Sequence, residues 1–236
     1  MIAENIKVLR ERIERKCVES GRNSNEIKLI AVSKNFGLEE IRQAFLNNIK
    51  DFGENKAQEL SAKSNELNID VTWHFIGTLQ RNKVRFAVKA SEYIHSVDSL
   101  ELISEINKRA AVLNKKQKIL LQIKTSREET KAGLADESEI FDLVNFCGDY
   151  KNVDLIGLMT IAPFTENKAL VRESFRYLRH LKERINQKGF SLKELSMGMT
   201  EDFELAIEEG ATMLRIGSAI FGERVYSQKQ STSKRD

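Results

Sequence analysis

Proline is almost absent from this chain: Pro163 is the only one in 236 residues. No Gly/Ser-rich linker, low-complexity tract or charge run takes its place as punctuation, so nothing marks a boundary between two domains. Cysteine is nearly as scarce. Cys17 and Cys147 lie far apart without partner cysteines, which argues against a disulfide framework or a cysteine metal site and fits a reduced, cytoplasmic protein. Long apolar runs are missing too. Charges begin at Glu4 and no stretch approaches a membrane span, so neither a signal peptide nor a membrane anchor is expected. Nor is there an excess of one charge. The 38 basic and 35 acidic residues leave a net +3, too small and too dispersed to indicate nucleic acid. The local exception is the basic stretch from Lys229 to Arg235, and residues 226–236 are expected to be a disordered tail.

What is present is an ordinary globular composition, 41% hydrophobic and 31% charged, laid out in a regular alternation. Ile2, Ile6, Leu9, Ile13 and Cys17 recur at helical spacing, which predicts an amphipathic helix over 2–20 closed by Gly21. The apolar run from Lys28 to Lys34 reads as a strand covered on both faces. Strand then helix follows eight times: 28–34 and 38–48, 50–55 and 58–68, 72–77 and 81–89, 93–97 and 99–113, 118–123 and 137–147, 155–159 and 167–187, 194–197 and 201–209, 213–216 and 218–221. Such alternation implies parallel pairing through helical crossovers. Eight units in about 220 residues predict a single closed (β/α)₈ TIM barrel with an extra N-terminal helix. An open doubly wound sheet often carries a G-x-G-x-x-G turn after its first strand, and Ser33-Lys34-Asn35-Phe36-Gly37 stands there instead.

In such a barrel the functional face is built from the C-terminal strand ends. Lys34 ends the first strand. Gly198 and Gly217, with the hydroxyls of Ser196 and Ser218, suit a phosphate held by the loops after strands 7 and 8, although the same residues also suit turns and helix caps. Arg215 lies inside the apolar run Met213-Leu214-Arg215-Ile216, where an inward guanidinium needs an acceptor to offset its desolvation. An amine, a guanidinium and a phosphate cradle on neighbouring strands match the needs of pyridoxal 5′-phosphate (PLP). His74 and His95 have neither a nucleophile nor metal-ligand spacing beside them, and read as structural or supporting groups. Trp73 and Phe75 alternate with His74, so they are expected to face the helices while His74 faces the barrel interior. Thr200 reads as a cap for the helix opened by Glu201 and Asp202.

These residues also carry a family resemblance over nearly the whole chain. Ala31-Val32-Ser33-Lys34, Phe52-Gly53-Glu54-Asn55, the segment from Trp73 to Lys83, Lys131-Ala132-Gly133, the segment from Leu195 to Phe203 and that from Arg215 to Gly222 resemble the pyridoxal phosphate homeostasis proteins, an alanine-racemase-like group. Thr78 and Arg81 depart from the pattern just beyond the third strand. The resemblance implies a PLP-binding barrel over residues 1–225, with Lys34 forming the internal aldimine and Arg215 facing the pyridine nitrogen. It implies Ser196, Gly217 and Ser218 as phosphate ligands and Asn55 and Met199 as residues lining the cofactor.

Related barrel enzymes add a β-domain with a second catalytic residue, and residues 223–236 leave no room for one. The expected function is therefore non-catalytic: a monomeric carrier that buffers PLP as a lysine aldimine and supplies apo PLP-dependent enzymes. The alternative is a small PLP-dependent amino-acid racemase.

Overall fold

A computed structural model describes residues 1–126 and 132–222. Eight parallel strands close into a barrel in sequence order: β1 (Lys28–Val32), β2 (Asp51–Glu54), β3 (Thr72–Phe75), β4 (Tyr93–Val97), β5 (Gln117–Gln122), β6 (Val153–Met159), β7 (Glu194–Ser196) and β8 (Met213–Ile216). The barrel and its N-terminal helix are thus as expected. The expected tail at 226–236 lies outside the described residues.

Each strand has two buried faces because its side chains alternate between two apolar layers. Ile30, Tyr93, Leu120, Met159 and Met213 pack together inside the barrel. Ala31, Phe52, Trp73, Phe75 and Ile94 belong instead to the layer shared with the helices. Trp73 and Phe75 therefore point as their alternation with His74 predicts.

The helices are α1 (Ile2–Glu19), α2 (Leu38–Leu46), α3 (Ala57–Glu66), α4 (Val84–Ala90), α5 (Leu100–Val112), α6 (Glu137–Asp149), α7 (Lys168–Gln187), α8 (Phe203–Glu208) and α9 (Ser218–Phe221). α7 shows how the pattern works. Val171, Phe175, Leu178, Leu181 and Ile185 fall on one stripe and are buried, while charged residues occupy its other face. α1 buries Ile2, Ile6, Leu9, Ile13 and Cys17 against α2, α8 and α9. It thereby bridges helices from the first and last units, on either side of the β1–β8 seam. Gly21, at φ +65, turns the chain out of α1.

One local expectation is corrected. Thr200 does not cap the helix after β7. That helix begins at Phe203 with Asp202 in the capping position, and the Thr200 hydroxyl instead accepts from Ser218 Oγ at 3.1 Å. Asp202 Oδ1 accepts the backbone N–H of Met199 at 2.5 Å, which tightens the loop and moves the helix start onward.

Candidate functional site

The seven predicted site residues come from four strands that are consecutive around the barrel, β7, β8, β1 and β2. Ser196 ends β7, and Met199 lies in the following loop. Arg215 is the third residue of β8, followed by Gly217 and Ser218. Lys34 stands two residues beyond β1, and Asn55 immediately follows β2. All seven therefore lie along one arc of the barrel, towards or beyond its C-terminal rim.

Lys34 is half-buried in a turn whose flanks are held from both sides. Ser33 N–H donates to Gly53 O at 3.0 Å, and Ser33 Oγ donates to Glu54 Oε1 at 2.7 Å. Lys63 of α3 donates to Ser33 O at 2.9 Å, Glu54 Oε1 at 2.7 Å and Glu59 Oε1 at 2.8 Å. Glu59 Oε1 also accepts from Asn35 N–H at 2.8 Å, where the backbone takes φ +66. Residues 33 and 35 are thus both tied to α3, which restricts the direction in which Lys34 leaves the barrel. Burial pushes the Glu54 carboxyl above its usual range, against the pull of Lys63 and Ser33. None of Glu54, Glu59 and Lys63 is a predicted site residue. The four-residue spacing of Glu59 and Lys63 on α3 was the available signal.

Arg215 is only 4% exposed. Its Nη1 donates to Ser196 Oγ at 2.6 Å and its Nη2 to Thr160 O at 2.8 Å. Burial brings the guanidinium down to about 10, with Asp202 acting through space in the opposite direction, so it stays charged at neutral pH. Ser196, expected as a phosphate ligand, has its hydroxyl engaged within the barrel by Arg215 and by His95 Nδ1 at 2.9 Å.

Gly217 lies against the first strand, where an added Cβ would sit 3.6 Å from Val32. Ser218 opens α9, and the first N–H groups of a helix have no intrahelical acceptor. Asn55 Oδ1 is buried with no hydrogen-bond partner among the described residues, and such an atom calls for an explanation. Met199 is 39% exposed.

An amine just beyond β1, a buried guanidinium on β8 and the start of α9 thus lie near one another along the β1–β8 seam of the closed barrel. The chain belongs to the family described as the alanine racemase N-terminal domain, which matches residues 1–225, and within it to the pyridoxal phosphate homeostasis proteins. A protein of that name from Aquifex aeolicus is 42% identical, the match covering 94% of this chain and 98% of that one. The solved structure of PipY from Synechococcus elongatus with PLP bound is 36% identical, with a TM-score of 0.83 over 94% of this chain and 100% of the other. Alanine racemase from Clostridium difficile has a TM-score of 0.77 at 15% identity, covering 95% of this chain and 58% of the racemase. That last likeness is one of fold.

Proposed function

We propose that this protein binds PLP at the β7–β8–β1–β2 arc and serves in intracellular PLP homeostasis, holding the cofactor on Lys34 and releasing it to apo-enzymes. The observation that carries this reading is the placement of Lys34 two residues beyond β1 and of Arg215 on β8, the strand paired with β1, with Gly217 and Ser218 following Arg215.

The residues present fit the cofactor. Bound PLP supplies an aldehyde that a lysine amine takes up reversibly. Lys34 offers the amine from a turn fixed by Ser33 and Asn35. Arg215 offers N–H groups: among the described residues its guanidinium makes two hydrogen bonds out of five possible donors. Gly217 and Ser218 offer backbone N–H groups and a hydroxyl to an anion. The unpartnered Asn55 Oδ1 offers an acceptor on the β2 side. We assign Ser196 to the support of Arg215, because its hydroxyl is already committed there.

Non-catalytic buffering is favoured over racemisation because the homeostasis proteins match over almost their full length, whereas the racemase likeness covers little over half of that enzyme. The test is spectroscopic. Wild-type protein mixed with PLP should show the absorbance of a lysine-bound cofactor, borohydride should fix it to residue 34, and Lys34→Ala should lose both signals. Retention of both signals by Lys34→Ala would sink the assignment. Interconversion of L- and D-amino acids above the rate with free PLP would replace the carrier by the racemase.

A further inference from the structure

The interior of a closed barrel of this kind is filled by layers of branched apolar side chains, but here a polar chain crosses it. Arg215 Nη1 donates to Ser196 Oγ at 2.6 Å. Ser196 Oγ lies 2.9 Å from His95 Nδ1, and His95 Nε2 lies 2.9 Å from His74 Nδ1. His74 Nε2 then meets Asp51 Oδ1 at 2.8 Å. Ser196, His95 and His74 are fully buried, and His74 stacks flat on Tyr93 with ring centroids 4.4 Å apart. The chain runs from Asp51, the first residue of β2, through β3 and β4 to the ends of β7 and β8.

The two ends settle which way the protons point. A guanidinium only donates and a carboxylate only accepts. With both imidazoles neutral, one arrangement satisfies all four bonds. Arg215 donates to Ser196, Ser196 Oγ–H to His95 Nδ1, His95 Nε2–H to His74 Nδ1, and His74 Nε2–H to Asp51. Reversing the middle bonds either sets two acceptors face to face or demands a buried imidazolium. Burial holds both rings below the ordinary histidine range, His95 well below, so the neutral forms prevail.

Stability alone is a weak reason for such a chain, since apolar packing of the same shape is often as stable or more so. Its effect lies at its end. His95 fixes the rotation of the Ser196 hydroxyl, and Ser196 in turn presents its oxygen to Arg215. Without His95 the hydroxyl is free to rotate, and the guanidinium loses a defined partner at Nη1.

We propose that Asp51, His74 and His95 are positioning residues which, through Ser196, hold the Arg215 guanidinium in the pose that meets the ring nitrogen of bound PLP. The inference rests on the proposed function, and two separate readouts keep their failures apart. In cofactor-free protein labelled with ¹⁵N-histidine and held at pH 7.5, His74 and His95 should both be neutral with the proton on Nε2. A cationic ring or an Nδ1–H tautomer at either position overturns the chain, whatever the protein binds.

In protein loaded with PLP, His95→Leu should shift the absorption band of the bound cofactor and release it about tenfold faster. His95→Gln, which keeps an amide donor and acceptor, should recover most of both. A folded His95→Leu with the wild-type band and release rate overturns the positioning role. If His95→Leu does not fold, Ser196→Ala removes the atom joining the chain to the guanidinium and is judged by the same band and rate. Wild-type protein that takes up no PLP overturns the proposed function and the positioning role with it, while the histidine spectra still decide the chain.

Discussion

Ile30 and Arg215 are Cα partners across the seam that closes the barrel. Lys34 lies four residues beyond the first and Gly217 two beyond the second, so one strand pair delivers the amine, the guanidinium and the start of α9 to the same side of the mouth. Closure of the sheet is what makes them neighbours, since 181 positions separate Lys34 from Arg215 in sequence.

The first prediction concerns the support of the Lys34 turn. Lys63→Met leaves the fully buried Glu54 carboxylate without its cation and frees the Ser33 carbonyl. We expect a loss of about 3–5 kcal/mol in chemical denaturation, with slower PLP uptake by the remaining folded protein. Adding Glu54→Gln removes the stranded charge and should recover part of the stability. A single variant as stable as wild type would show that the cluster is not coupled to folding.

The second prediction is a pH dependence. Burial lowers both His74 and His95 from an ordinary value of 6.5, so below that pH the unfolded chain binds protons that the folded chain refuses. Stability is therefore fully present above pH 6.5 and is lost as pH falls from there towards the folded values. Each ring contributes up to about 1.4 kcal/mol per pH unit. His74→Phe keeps an aromatic ring on Tyr93 but cannot titrate, and urea unfolding between pH 7.5 and 5 should show a shallower decline than in wild type. Equal slopes would contradict the depressed histidines. The raised carboxyl of Glu54 acts in the opposite direction, which is why the comparison is made as a difference between the two proteins.

The third prediction uses a close approach of backbones. An added Cβ at Gly77 would lie 2.2 Å from Asn55 O and 2.7 Å from Asn55 Cα, and neither is the yielding end of a side chain. Gly77→Ala should cost about 1–3 kcal/mol through overpacking and weaken PLP binding by displacing Asn55. Equilibrium dialysis and thermal unfolding measure the two effects. A loss of stability with unchanged affinity would remove Asn55 from the cofactor's surroundings.

The amino-acid order alone determined the alternation of eight strands and helices, because the two periodicities differ and each buried face requires its own apolar stripe. It placed Lys34 at a strand end, Arg215 within an apolar strand, and His74 opposite Trp73 and Phe75, all of which are local consequences of side chains alternating along a strand. Only the tertiary structure decided what meets across strands. His74 and His95 become partners because β3 and β4 pair with His74 beside Tyr93, and Ser196 reaches His95 across the barrel interior. Lys63 meets Ser33 because α3 folds back over β2 and β3 and the long lysine side chain reaches past Glu54 to the end of β1. Those contacts depend on register, barrel closure and crossover geometry, which no window along a single chain contains. So the sequence could name the amine and the guanidinium, while the groups that orient them became visible only once the strands were paired.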